Sequence, residues 1–141
     1  MLQDNSFIVG HIKSSRIPYY DNKTNSIKFK SRPVLILKAE KESGSSDFTV
    51  LPISSVNFKK NVNQKFDVEV TKETYPLLNL TKELCYIRCG KIMTINKKDL
   101  AVNSICDLKN IYPELWQHIT NLTKEYISEI YWIRILGKNI R

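Results

Sequence analysis

An arginine and two serines stand where two apolar segments of the sequence begin and end. Arg32 and Pro33 directly precede the apolar run 34–37, and Ser54 and Ser55 follow the run 48–51. When two such segments pair as antiparallel strands, the start of one lies beside the end of the other. The guanidinium of Arg32 can contact two oxygens of a phosphate at once, and a serine hydroxyl can donate to the same group. The spacing therefore predicts an oxyanion-binding pair, with a merely solvated surface arginine as the alternative for Arg32.

Positive charge is concentrated next to this arginine. The 141 residues include 22 Lys and Arg against 14 Asp and Glu, which gives a net charge of +8. The segment from His11 to Arg32 has a net charge of +5, because a single acid, Asp21, faces the cations Lys13, Arg16, Lys23, Lys28, Lys30 and Arg32. The C-terminal third is near neutral, which disfavours a basic amphipathic helix on a membrane. The distribution favours an anion-binding surface built from loops of the β region, although lysines that only solvate the surface give the same count.

Two aromatic residues, Tyr19 and Tyr20, lie inside this basic segment. Exposed aromatic side chains beside cations hold single-stranded nucleic acid by stacking on its bases. The alternative is that one of them covers the end of a β-barrel.

The elements that must position these residues are mainly strands. Apolar runs and the alternation of apolar with polar residues predict five strands, at 7–17, 34–37, 48–51, 66–70 and 86–95. Turn residues between them predict a long flexible loop around 21–26, a turn at 44–46 and a basic loop at 59–61. Beyond Asp107 the apolar residues recur at steps of three and four, which predicts helix; they are Leu108, Ile111, Leu115, Ile119, Leu122, Tyr126, Ile130 and Ile133. Pro113 suits the first turn of a helix, and residues 120–123 are a candidate break between two helices.

The length predicts a single domain over residues 1–141, with a β part at about 7–100 and a helical part at about 107–136. The longest aliphatic run, 34–37, is far shorter than the roughly 20 residues that cross a membrane. The opening residues, Met1 to Ser6, lack a basic and a long apolar region, so we expect a cytoplasmic protein.

Cysteine and histidine usage argues against a metal site. Cys85, Cys89 and Cys106 form no CxxC pair and are expected to be reduced, buried thiols. His11 belongs to the first strand and is expected to be structural, and only His118 accompanies it in the chain. We therefore expect neither a bound metal nor a cofactor.

Four motifs, taken in order and spacing, resemble the MazF/PemK toxin family over about residues 8–110. The family pattern is Gly-x-Ile, Arg-Pro before an aliphatic strand, a strand ending in Pro-x-Thr/Ser-Thr/Ser, and a later strand ending in a hydroxyl residue and an acidic or amide residue. The corresponding residues are Gly10-His11-Ile12, Arg32-Pro33, Pro52-Ile53-Ser54-Ser55 and Lys91-Ile92-Met93-Thr94-Ile95-Asn96.

The resemblance implies a small SH3-like or CcdB-like β-barrel with C-terminal helices and the toxin of a type II toxin–antitoxin system. Such a toxin would be a homodimer and a metal-independent, sequence-specific endoribonuclease. It would cut single-stranded RNA by attack of the ribose 2′-OH, giving 2′,3′-cyclic phosphate and 5′-OH ends. The resemblance also implies an antitoxin partner with an acidic segment.

The resemblance assigns catalysis to Arg32 and to Ser54, which stands where the family commonly has threonine. Together with the charge pattern it predicts RNA contacts from a further set of residues, namely Lys28, Lys30, Tyr20, Ser55, Arg88, Lys91 and Thr94. Because a fold does not fix a function, a CcdB-like toxin that binds a protein without catalysis and a nucleic-acid-binding module are the alternatives.

Overall fold

The computed structural model describes residues 4–56 and 58–140. Within these ranges seven strands precede two α-helices, and four short 3-10 helices lie before and between the strands. The elements are β1 His11–Asp21, β2 Ser26–Ala39, β3 Asp47–Ser54, β4 Asp67–Thr71, β5 Leu84–Arg88, β6 Met93–Asn96, β7 Leu100–Asp107, α1 Leu108–Ile111 and α2 Pro113–Ile140.

The strands form one curled antiparallel sheet in the order β4-β5-β3-β2-β1-β7. β3 pairs with β2 along one edge, and along its other edge it pairs first with β6 and then with β5. This double pairing on one edge bends the sheet into a half-barrel, and α2 packs on one face of it. The predicted fold class, a small mainly β barrel with C-terminal helices, is confirmed.

The central strand β2 contributes side chains to a core on each face of the sheet. Leu35 packs in the helix-side core, which also contains Leu115 and Ile119 of α2. Val34 and Ile36 pack in a second core on the opposite face. Because successive side chains of a strand point to opposite faces, a strand buried on both sides has the continuous apolar sequence seen at 34–37.

The segment predicted as a long flexible loop around 21–26 is a tight turn at 22–25 that closes a two-stranded ribbon, so the turn is present but the long loop is not. β1 and β2 pair without interruption from Ile12–Leu35 to Asp21–Ser26. The outer part of β2, residues 26–31, is exposed, and it therefore lacks the apolar pattern by which a buried strand is recognised. The ribbon is held by backbone pairing and by one cation–π contact on each face, Arg16 with Phe29 on one and Lys30 with Tyr19 on the other.

Two further strand boundaries differ from the prediction. The single strand predicted over 86–95 is two strands, β5 and β6, separated by a turn at Gly90. β7 is not predicted at all, because residues 101–104 are exposed and its polar and apolar residues do not alternate cleanly. β7 pairs with β1 at the edge of the sheet, where a strand needs few buried side chains.

The C-terminal helix begins at Pro113, as predicted, and runs through the candidate break at 120–123. The Thr123 hydroxyl donates to the Ile119 carbonyl at 2.8 Å, so this hydroxyl is satisfied inside the helix instead of ending it. The break lies at Tyr112, between α1 and α2. Of the predicted apolar stripe, Ile130 is 55% exposed, and Ile133 lies beyond the side chains that the structure describes.

None of the helices in the described ranges is both long enough and apolar enough to span a membrane.

Candidate active site

Arg32 and Ser54 lie on neighbouring strands at the point where those strands separate. β2 and β3 are paired as far as Val34–Pro52, and the end of β3 beyond this point is paired only on its other edge, with β5. Continuing the β2–β3 register by two residues sets Arg32 opposite Ser54. By the alternation of each strand, both residues fall on the face that carries the second core. The sequence prediction that these two residues come together agrees with this register.

A cleft of about 410 Å³ opens where the two strands separate. Four segments line it: the start of the buried part of β2, the end of β3, the loop before β5, and β5 itself. The lining residues are Lys30, Ser31, Arg32, Pro33, Ile53, Ser55, Leu80, Thr81, Lys82 and Cys85. The volume is in the range of about 300–1,000 Å³ that is usual for ligand pockets.

The charged residues that line the cleft are all positive. Lys30, Arg32 and Lys82, which we call the cleft cations, border it, and no carboxylate is among the lining residues. In the part of the chain that the structure describes, no carboxylate lies within salt-bridge distance of any of the three. The ammonium of Lys30 sits 4.3 Å from the ring centroid of Tyr19, which holds it over the ribbon. The cleft therefore presents uncompensated positive charge to an incoming anion.

Hydroxyl groups accompany these cations. Ser55 is exposed and lines the cleft, whereas the adjacent Ser54 is half-buried and is not one of the lining residues. The described residues give the Ser54 hydroxyl no hydrogen-bond partner, so its proton is free to be donated. Ser31, also in the lining, shares a 2.5 Å hydrogen bond with Ser14.

The predicted contacts on the ribbon lie farther out. Lys28 is four residues from Arg32 along β2, roughly 13 Å at 3.3 Å per residue. Its ammonium forms an ion pair with Asp21 at 2.8 Å, and this lowers the pKa of the Asp21 carboxyl. Tyr20 is 55% exposed, and its hydroxyl donates to Asn25 at 3.1 Å. Neither residue lines the cleft.

Arg88 is engaged inside the protein. Its guanidinium donates to both carboxylate oxygens of Asp67, at 3.2 and 3.1 Å, and to the Asn61 carbonyl at 2.8 Å. The carboxylate of Asp67 also accepts the backbone N–H of Asn63 at 2.8 Å. Arg88 thus ties the loop after β3 to the start of β4, and it lies outside the cleft lining.

The last two predicted contacts are exposed and separate from the cleft. Lys91 lies in the turn between β5 and β6, and Thr94 pairs with Thr49 in the β3–β6 ladder. Neither is among the lining residues.

The cysteines are free and buried, as predicted. Burial raises the pKa of the Cys85 thiol, and the nearby Lys82 ammonium opposes this shift. Burial raises the pKa of Cys89 and of Cys106 to about 11 in each case. All three thiols are therefore poor nucleophiles near neutral pH.

His11 has the structural role that the sequence predicts. Its Nδ1 lies 2.7 Å from the Ser104 hydroxyl, and its Nε2 lies 3.4 Å from a carboxylate oxygen of Asp107. These contacts join the start of β1 to β7. Over the described ranges, no three His, Cys, Asp or Glu side chains are grouped so that they could hold a metal ion.

Sequence reasoning missed one wall of the cleft, the loop residues Leu80, Thr81 and Lys82. They stand about 50 residues after Arg32 in the chain, between β4 and β5. The signal that could have found them is a hydroxyl residue next to a cation, Thr81 and Lys82, shortly before the strand that begins at Leu84.

Comparison with known proteins supports the resemblance drawn from the motifs. Residues 17–131 match the model of a family described as the PemK-like, MazF-like toxin of type II toxin–antitoxin systems. A comparison with curated protein sequences finds no significant match. The family match covers well over half of the chain and includes the whole cleft lining. This chain therefore belongs to the family of PemK-like, MazF-like toxins of type II toxin–antitoxin systems.

Proposed function

We propose that this toxin is a metal-independent, sequence-specific endoribonuclease that cuts single-stranded RNA at the cleft between β2 and β3. The observation that carries the proposal is the cluster of three cleft cations next to the hydroxyls of Ser54 and Ser55, at a cleft lined without a carboxylate. The family assignment supports the same activity.

Cleavage by the ribose 2′-OH places extra negative charge on the phosphate. The O2′–P bond forms as the 2′-OH gives up its proton to solvent, and the equatorial oxygens carry the charge of the resulting phosphorane. The P–O5′ bond then breaks, and the leaving 5′ oxygen takes up a proton from solvent. Arg32 is suited to bind two of these oxygens, because its planar guanidinium matches their spacing. Its half-buried position raises the strength of that contact relative to one in water. A cation supplied by the protein in this way does the work that a metal ion does in other nucleases.

The serines and the flanking lysines have different roles in this proposal. The Ser54 hydroxyl, opposite Arg32 by register, donates to the same phosphate, and Ser55 contacts the RNA inside the cleft. Lys30 from β2 and Lys82 from the loop before β5 bind the neighbouring phosphates. Lys28 and Tyr20 on the ribbon extend the path to further nucleotides. Arg88 acts through the loop that it holds.

Two partners complete the proposal. An antitoxin with an acidic segment would occupy the same cations and block the cleft, since an acidic peptide is complementary to that charge. A second copy of the chain would form the homodimer that the family resemblance implies. Gel filtration with light scattering measures the dimer, and inhibition of cleavage by the antitoxin tests the shared surface.

The activity is tested by incubating the purified protein with a long single-stranded RNA in EDTA. We expect discrete fragments that carry 2′,3′-cyclic phosphate and 5′-OH ends, and an all-DNA strand of the same sequence should stay intact. Removing a donor that stabilises the transition state typically lowers the rate by about 10²–10³-fold, so Arg32→Ala should lower cleavage by at least this factor.

A matched control is Lys38→Ala, which removes an exposed cation from the same strand β2 outside the cleft. It should cleave like the wild type. Full activity of Arg32→Ala would refute the assigned role. Absence of cleavage by the wild type, together with tight stoichiometric binding to a protein target, would replace the proposal with the protein-binding alternative.

A further inference from the structure

A second pocket, of about 210 Å³, lies away from the cleft and contains two lysines. Its walls are the 3-10 helix Asn5–Ile8 with the preceding Asp4, the start of β7, and the side chains of Lys13 from β1 and Lys97. The proposed cleavage uses none of these residues, and the family match, which begins at residue 17, does not reach the N-terminal wall or Lys13.

Lys13 is buried, with 6% of its surface exposed. The register between β1 and β7 slips on both sides of Lys13, so residues 101 and 102 of β7 have no partner in β1. The Lys13 ammonium takes the place of that ladder, donating to the Ala101 carbonyl at 3.1 Å and the Val102 carbonyl at 2.8 Å. An ammonium has three N–H groups, and the third has no acceptor among the described residues.

Lys97 faces the same pocket from the 3-10 helix Lys97–Asp99. Its ammonium donates to the side-chain oxygen of Asn5 at 2.8 Å and to the Gly44 carbonyl at 3.4 Å. It too has a third N–H without an acceptor in the described part of the chain. Each of the two lysines that line this pocket therefore has one N–H group that no described residue accepts, and Lys97 is exposed while Lys13 is buried.

The local charge is positive. Within the described ranges neither lysine forms an ion pair. Burial lowers the pKa of Lys13, and the charge of Lys97 lowers it further. The acid in the lining is Asp4, whose carboxylate accepts the backbone N–H and the hydroxyl of Ser6, both at 2.8 Å. The three charged side chains of this pocket sum to one unbalanced positive charge.

We propose that this pocket binds a carboxylate group, through the spare N–H groups of Lys13 and Lys97. A carboxylate has a single charge, which balances the local excess, and two oxygens, one for each donor. The pocket is smaller than the 300 Å³ or so at which ordinary ligand pockets begin, so it suits a carboxylate on a short stem and not a nucleotide. Both a free carboxylate anion and the side chain of an acidic peptide residue have this chemistry.

The first test measures the melting temperature of the intact protein in sodium formate against sodium chloride of equal ionic strength. A ligand that binds only the folded state raises the melting temperature in a saturable way. We expect such a rise for the wild type, and its loss in Lys97→Met. Lys98→Met is the matched control, because it removes the neighbouring exposed charge and should keep the full response. Lys13→Met should also lose the formate-dependent rise in melting temperature. If this buried substitution prevents folding, the exposed variant Lys97→Met still decides the test.

A second set of probes identifies the source and class of the anion. Asp4→Asn removes the competing negative charge, keeps an oxygen to accept from Ser6, and should tighten formate binding several-fold. If the pocket admits the side chains of a peptide, a short neutral peptide with one Glu should compete with formate. If the pocket takes only free anions, acetate should compete and the peptide should not. Both outcomes support the carboxylate site. An equal response of Lys97→Met, Lys98→Met and wild type would overturn it, as would tighter binding of dimethyl phosphate than of formate. RNA cleavage by Lys97→Met should be unchanged, so this site and the proposed nuclease succeed or fail independently.

Discussion

The ion pair between Arg88 and Asp67 allows a structural role to be separated from an RNA contact. The Asp67 side chain is 2% exposed and that of Arg88 is 19% exposed. Removing one partner of a buried pair costs about 3–5 kcal/mol, because the other charge stays buried without compensation. Water can reach the Arg88 side, so we expect the lower end of that range, about 3 kcal/mol, for Arg88→Met. In a chain of this length such a loss lowers the melting temperature by about 10 °C.

The measurement is urea unfolding followed by tryptophan fluorescence, with Lys91→Met as the control. Lys91 lies three residues further along and is exposed, so its loss should leave the free energy of unfolding within about 0.5 kcal/mol of wild type. Asp67→Asn should cost much less in the Arg88→Met background than in the wild type, since the two residues form one unit. A stable Arg88→Met protein that has lost RNA binding would refute this reasoning and restore Arg88 as a direct RNA contact.

Three other predictions follow from the same contacts. Gly10 has φ of +90°, and a Cβ added there would overlap the Cβ of Lys109, so Gly10→Ala should lower the free energy of unfolding by at least about 2 kcal/mol. Gly44→Ala, at a positive φ but with open space around it, should cost only about 1 kcal/mol, and equal losses for the two variants would contradict the clash. Thiols of the unfolded chain lose their protons near pH 9, whereas Cys89 and Cys106 in the folded protein keep theirs to about pH 11. The free energy of unfolding should therefore be unaffected below pH 9 and fall between pH 9 and 11, by up to about 1.4 kcal/mol per pH unit for each thiol. Denaturation midpoints that do not change over that range would contradict this. Lys28 and the three cleft cations predict a slope of about −3 for the logarithm of the RNA-binding constant against the logarithm of salt concentration. A slope near −5 would mean that all six cations of residues 11–32 take part together with Lys82.

The sequence predicts best those strands whose buried positions are occupied by apolar residues. β3 and the inner half of β2 are apolar runs because both of their faces are covered, and the helix is periodic because one of its sides packs on the sheet. These parts fix the sheet order near Arg32 and Ser54, which is why four short motifs suffice to place the pair.

The parts that the sequence does not predict are held by the backbone or by distant residues. The outer ribbon is exposed and is held by the backbone hydrogen bonds between β1 and β2. Backbone hydrogen bonds do not require apolar residues, so the sequence there has no hydrophobic pattern. β7 depends on a ladder at one edge and on the Lys13 ammonium, which acts across 88 and 89 residues of sequence. Similarly, Lys82 joins the cleft only because the loop before β5 folds back beside β2. None of these pairings can be inferred from local composition.

The positive charge of residues 11–32 illustrates how a linear count misleads once a segment is a strand. Read as a loop, the six cations would form one RNA path. In the ribbon, Lys28, Lys30 and Arg32 stand at alternate positions of β2 and share one face, whereas Arg16 lies on the other face. Arg16 lies 4.1 Å from the ring centroid of Phe29 on one face, Lys28 is paired with Asp21, and Lys13 is buried in a different pocket. Two of the six line the cleft, and a third cation comes from a loop about 50 residues away. The net charge therefore predicts the sign of the ligand, whereas the strand period and the sheet order decide which cations meet it.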